Sequence, residues 1–230
     1  MAAQAIPDDP LEWRPQLPLV TRVPVRIADP IVEPLWTGER VLAHVDRPTG
    51  DPPRVRLIDR FGIDLAPVDA DVATAVGAAT LAQDAVLDGV LTGEATRDGV
   101  GTAIVPEAHR PLASVLLGSA GGEPGVTVSR RADGPADGAE AFVAVDLLRL
   151  DGQSLLEVPL LERRRLLESV LAQGPLVRVS VLCRPPIDPW VATWQASGLR
   201  GGMLKAANGR YVPGDRTPEW REVTKLASRR

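Results

Sequence analysis

Two short apolar runs, AVLDGVL at 85–91 and FVAVDLLRL at 142–150, limit what this chain can fold into more than any other feature. Both are rich in β-branched residues, and each reads as a strand buried on both faces. VRLID and LVRVSVLC alternate apolar with polar residues, as half-buried strands do. Three segments read as helices. DADVATAVGAATLAQ offers Asp69 or Asp71 as N-cap. PLLERRRLLESVLAQG has Pro159 in its first turn, Gly174 at its stop, and an apolar face of Leu160, Leu161, Leu166, Leu167, Val170 and Leu171. Its Arg163, Arg164 and Arg165 read as the solvated face opposite. DPWVATWQASG has Asp188 as cap, Pro189 at the first position, and Trp190 and Trp194 four apart on one face, as core anchors. Strands and helices interleave without a strict βαβ repeat, which predicts an α+β domain with antiparallel sheets flanked by helices.

Loops are marked by Pro and Gly. DRPTGDPPR joins two strands as a hairpin-like connection, and GSAGGEPG and RADGPADGAE flank a short strand VTVSR. None of these looks like an interdomain linker. The expected organisation is a flexible N-terminal segment, residues 1–17, and one domain over residues 18–230.

Four segments carry motifs. In EPLWTGERVLAHV, Glu33, Pro34, Gly38 and Arg40 match a pattern E-P-K-x-D-G-x-R, with Leu35 at its lysine and Thr37 at its aspartate. RLIDRFG retains Arg60 and Gly62 of an S-R-N-G element, and AVLDGVL retains Asp88 and Gly89 of L-D-G-E, with Val90 at the glutamate. FVAVDLLRLDGQSLLEVPLLERRRLLESVL follows F-D-L-L-x-L-D-G and P-L-x-E-R-R-x-L-L almost residue for residue. GLRGGMLKAANGRYVPGDRTPEWREV keeps Lys205, Tyr211, Pro213, Gly214, Arg216 and Trp220 of a last pattern. Arg200 stands there for a glutamate, and Glu222 and Thr224 for two lysines. From about Pro18 to Lys225 the chain resembles the adenylation (nucleotidyltransferase) domain of ATP-dependent DNA ligases, in the compact form of bacterial repair ligases. The resemblance implies an ATP-grasp-like fold; full ligases continue into an oligonucleotide-binding barrel, and none is expected here because the sequence stops at Arg230. The resemblance also implies a nucleotide site in which Arg40, Arg60 and Lys205 contact phosphate or ribose and Glu33 lies near the base.

The same resemblance puts the chemistry at issue. In the family a neutral lysine amine attacks the α-phosphate of ATP and forms a lysyl-AMP; Leu35 has no nucleophile. Arginine is no substitute, because its guanidinium stays protonated and its lone pair is delocalised. His44 lies nine residues past the motif position, and a relocated nucleophile at Lys205 requires a rebuilt pocket. Hard cations need oxygen ligands, and Val90 and Arg200 stand at two family carboxylates, so no catalytic residue, no metal ligand and no Mg²⁺ site of the family type are expected. The expected function is a catalytically inactive ligase-like domain with weak ATP or nucleotide binding and a role beside DNA repair proteins. Two alternatives stay open: an active ATP-dependent DNA ligase or nucleotidyltransferase using a non-standard nucleophile, and a protein-interaction or regulatory module.

Composition bounds the partners. The 230 residues carry 26 basic and 30 acidic side chains, a net charge of −4, which predicts DNA contact that is weak or partner-dependent. Only Lys205 and Lys225 are lysines. No apolar run reaches eighteen residues and the N-terminus lacks signal-peptide regions, so a cytoplasmic protein with no membrane contact is expected. The lone Cys183 has no disulfide partner in the chain and reads as a buried strand residue.

Overall fold

The computed structural model describes residues 7–22, 26–97, 100, 136–199, 201–224 and 226. The strand expected at VTVSR and its flanking loops up to residue 135, together with Arg200 and Lys225, lie outside these residues. Among the described residues no helix is long and apolar enough to cross a membrane.

The architecture is α+β, with two sheets. The larger has strand order β4-β3-β5-β6-β7, from Arg54–Asp59, Glu39–Asp46, Asp84–Thr92, Ala141–Leu150 and Gln153–Ser154, and all these pairings are antiparallel. β8 (Val177–Val179) adds to β6 in parallel. The smaller sheet has order β1-β10-β9-β2, from Leu17–Thr21, Arg216–Val223, Gly202–Ala206 and Pro30–Pro34; β1 and β10 run parallel, the others antiparallel. β5 and β6 are buried along almost their whole length.

The period of two along each central strand sorts side chains into layers. Val41, Ala43 and Val45 of β3 and Leu87 and Leu91 of β5 face one core, with Val72 and Val76 of α1 (Ala70–Ala79) and Leu167 of α2 (Leu160–Val170). On the other side Leu42, Val86 and Leu148 pack with Trp13, Tyr211 and Trp220, and Val90 and Val143 pack with Val32 and Leu204 of the small sheet and Val191 and Trp194 of α3 (Asp188–Ala196). The small sheet is thus laid over the face of the large one that the first two helices leave uncovered. Trp194 is fully buried and Trp190 half-buried, their rings 6.3 Å apart, so the pair anchors this second core.

The run LVRVSVLC does not form one strand. Only Val177–Val179 pair with β6; the chain then crosses over, and Cys183 pairs with Val32 of the small sheet. This short crossing stitches the two sheets together, and burial there pushes the Cys183 thiol up to about 12. In the N-terminal segment, Asp9 caps a short 3₁₀ turn at Pro10–Glu12 and Trp13 is buried. Gln16 donates its backbone N–H to the Tyr211 hydroxyl at 2.7 Å and accepts from the Val212 N–H at 2.6 Å.

The arginine-rich helix corrects the sequence reading. Arg165 is exposed and pairs with Glu162, but Arg163 and Arg164 are 0% and 2% exposed. Arg163 forks onto both oxygens of Asp146 at 2.8 and 2.7 Å and donates to the Val158 and Gly209 carbonyls. Arg164 donates to the carbonyls of Ala144 and Ser180. Both arginines therefore bind helix to sheet rather than meeting solvent.

Candidate functional site

A cleft of about 170 Å³ opens between the two sheets, walled mainly by β2 and its continuation to Arg40, by β9, and by Val90 and Val145 of the large sheet. Local geometry explains how the motif residues arrive there. Gly38 lets the chain turn from β2 into β3 against the Leu91 carbonyl, which would lie 1.9 Å from any Cβ at that position. Leu35 follows the end of β2 with its N–H on the Gly201 carbonyl at 3.1 Å. Its side chain rests so close to Gly201 that a Cβ there would meet Leu35 Cδ2 at 2.7 Å. Trp36 next to it is buried, its indole N–H donating to Ser180 Oγ at 3.1 Å.

The charged residues of the cleft come in bonded pairs. Lys205 on β9 donates to both carboxylate oxygens of Glu33 on β2, each at 3.1 Å, and both side chains are almost fully buried. Burial pulls the Lys205 pKa down, and Glu33 opposes that pull. Its ammonium also lies 4.2 Å from the centre of the Trp220 ring. Arg40 on β3 forks onto Asp88 on β5 at 2.5 and 2.7 Å, and Asp88 also accepts from the Tyr211 hydroxyl at 2.7 Å. Burial works against the Arg40 charge, but Asp88 outweighs it and the pKa stays above the ordinary arginine value.

Asp88 and Asp146 are cross-strand neighbours on β5 and β6. Two carboxylates side by side in a core repel unless each has its own cation, and here Arg40 serves one and Arg163 the other. The resulting chain of charges runs from the cleft to α2, with the Tyr211 ring set edge-on to Trp220 at 5.6 Å between its two halves. In the sequence Asp88 has a motif but no partner, and neither Asp146, Tyr211 nor Gln16 is assigned to a site.

Of the four residues expected to bind nucleotide, the fold brings Glu33, Arg40 and Lys205 to this cleft together with Leu35 and Val90. Arg60 is not in its walls. It is exposed in the turn after β4, its guanidinium 4.6 Å from the Phe61 ring. Thr37 is exposed too, its backbone held by Glu94 and Thr92. Glu222, at a family lysine position, lines the cleft. Arg200 lies outside the described residues.

His44 lies on the same face of β3 as Arg40 but is not part of the cleft wall. Burial, reinforced by Arg56 and Arg14 and opposed by Asp9 and Asp64, pulls its pKa from 6.5 down to about 4, and its buried Nε2 meets no partner among the described residues. The folded state therefore binds a proton here less readily than the unfolded chain. Stability from this group is full above pH 6.5 and is lost as pH falls towards 4, by up to about 3 kcal/mol. Urea unfolding between pH 7 and 4 is expected to show this loss, and His44→Gln to reduce it.

The described walls do not fit a divalent cation. Leu35 and Val90 offer no oxygen, both oxygens of Glu33 are taken by Lys205, and among the described residues no three His, Cys, Asp or Glu side chains gather as a ligand set.

A family model described as the ATP dependent DNA ligase domain matches residues 25–223. A DNA ligase of Natronomonas pharaonis is 41% identical over 81 residues, which are 34% of this chain and 14% of that ligase. A DNA ligase of Methanocorpusculum labreanum is 30% identical over 98 residues, 41% of this chain and 18% of that ligase. Among solved structures, the ligase domain of M. tuberculosis LigD superposes with a TM-score of 0.59 at 25% identity, covering 93% of this chain and 60% of that one. A mycobacterial DNA ligase D complexed with ATP and MES gives 0.62 at 23% identity, covering 94% and 61%. The chain thus spans less than two thirds of each of these relatives.

Proposed function

Because the chain belongs to the ATP dependent DNA ligase domain family, we propose that residues 18–230 are an adenylation domain that retains a nucleotide cleft and has lost the covalent step. One observation carries this reading: where the family presents its nucleophile, Leu35 puts an aliphatic side chain into the cleft that also holds Glu33, Arg40 and Lys205. A hydrocarbon cannot displace pyrophosphate from ATP. Val90, in the same wall at a family carboxylate, removes a ligand for the metal that offsets triphosphate charge.

Glu33, Arg40 and Lys205 are the contacts for base, ribose or phosphate in this reading; Arg60 is a contact only for a ligand that reaches beyond the cleft. The mycobacterial relative solved with ATP supports ATP as the first ligand to try. Contact with DNA is weak or depends on a partner, consistent with the net charge of −4, and the setting is beside DNA repair proteins. The competing reading is nucleotidyl transfer through Lys205. Its lowered pKa favours that chemistry, but a near-attack geometry requires the amine to leave both oxygens of Glu33.

Incubation of the purified chain with ATP and Mg²⁺ or Mn²⁺ is expected to leave its intact mass unchanged. An adenylate mapped to Lys205 would instead establish the competing reading.

A further inference from the structure

We propose that the cleft takes a nucleoside without its phosphates, binding adenosine in preference to ATP; this rests on the nucleotide-cleft reading above. The ground is the charge of the walls. Both cations among the described lining residues are already neutralised, Lys205 by Glu33 at 3.1 Å twice and Arg40 by Asp88 at 2.5 and 2.7 Å, with the two carboxylates 2% and 0% exposed. Glu222 adds a further carboxylate. Lys205 and Arg40 set against Glu33, Asp88 and Glu222 leave these residues one net negative charge.

A triphosphate has two ways to enter such a cleft, and both are unfavourable. It can face the paired walls, where neither lining cation is free to meet it and the Glu222 carboxylate repels it. Or it can draw Lys205 away from Glu33, leaving a carboxylate buried with no counter-charge. A nucleoside meets neither obstacle. The remaining walls, Leu35, Val90, Val145 and Met203 among them, suit the flat face of a base. The positions at which the family would place the nucleophile and a late lysine have thus changed together, one to a hydrocarbon and one to a carboxylate, and both changes make the cleft less favourable to anions.

The test is calorimetric titration of the full chain with adenosine, AMP and ATP, with and without Mg²⁺, at two salt concentrations. Adenosine is expected to bind at least about tenfold more tightly than ATP at low salt, with AMP between. The gap should narrow as salt screens the repulsion. A phosphate-binding site would instead weaken for ATP as salt rises. Glu222→Lys, a change at a half-buried wall position, is expected to narrow the gap by improving ATP by a larger factor than it changes adenosine. ATP binding as tightly as adenosine in the wild type, or a gap that Glu222→Lys and salt leave untouched, would overturn the proposal while the nucleotide cleft stands. Absence of binding by all three ligands would remove the cleft reading and this proposal with it.

Discussion

Arg163→Met is expected to lower the unfolding free energy by about 3–5 kcal/mol, because it leaves Asp146 buried without its counter-ion. Arg163 and Asp146 are each 0% exposed, joined by two parallel hydrogen bonds, and the same guanidinium satisfies the carbonyls of Val158 and Gly209. Burial opposes the charge of Arg163, yet Asp146 holds its pKa above the ordinary value, so the guanidinium stays charged. Asp146 also lies across from Asp88, so the loss would free a second carboxylate's repulsion. Domains of this size have a stability of only about 5–15 kcal/mol, and a loss of that order endangers folding. Denaturant unfolding of the variant measures it. A cost under about 1 kcal/mol would mean that water reaches the pair as it does at a surface.

The second large effect concerns the cleft itself. Lys205→Met should cost about 3–5 kcal/mol, since Glu33 would be left buried without its counter-ion. The double variant Glu33→Leu with Lys205→Met should be far less costly, or stabilising, because both charges leave together and the walls are already apolar. A double-mutant cycle by thermal or urea unfolding reads the coupling directly. Near-additive costs would show that Lys205 is not committed to Glu33, and would release it to serve phosphate or to act as a nucleophile.

How far the fold was legible in the sequence depended on whether a side chain announced its environment. The apolar runs of β5 and β6 and the leucine face of α2 did so, and α1 and α3 lie where periodicity puts them, but Asp69 makes no side-chain cap bond and Asp188 is the first residue of α3 after Ile187 rather than its cap. The arginines of α2 did not. Leu160, Arg163, Arg164 and Leu167 have the i, i+3, i+4, i+7 spacing of a buried stripe, and all four are buried. Charge outweighed that spacing in the reading, although FVAVDLL offered Asp146 as a counter-ion. LVRVSVLC misled in the opposite way: its alternation is real, but only Val177–Val179 pair with the large sheet and Cys183 alone bridges to the small one. Glu33, Leu35 and Arg40 of the cleft stand in one motif, while Val90, Lys205 and Glu222 belong to others. Their mutual pairing was not legible, since Glu33 with Lys205 and Arg40 with Asp88 are joined only by the fold, across β2–β9 and β3–β5.

The central claim is that the cleft can hold a nucleotide-type ligand without capturing it covalently. Intact-mass spectrometry of the chain after incubation with ATP and Mg²⁺ or Mn²⁺ tests this most directly, with the ligase domain of M. tuberculosis LigD treated in parallel. The account predicts an unmodified chain at every ATP concentration. A stable adenylate localised by peptide mapping to any residue, Lys205 above all, would contradict it.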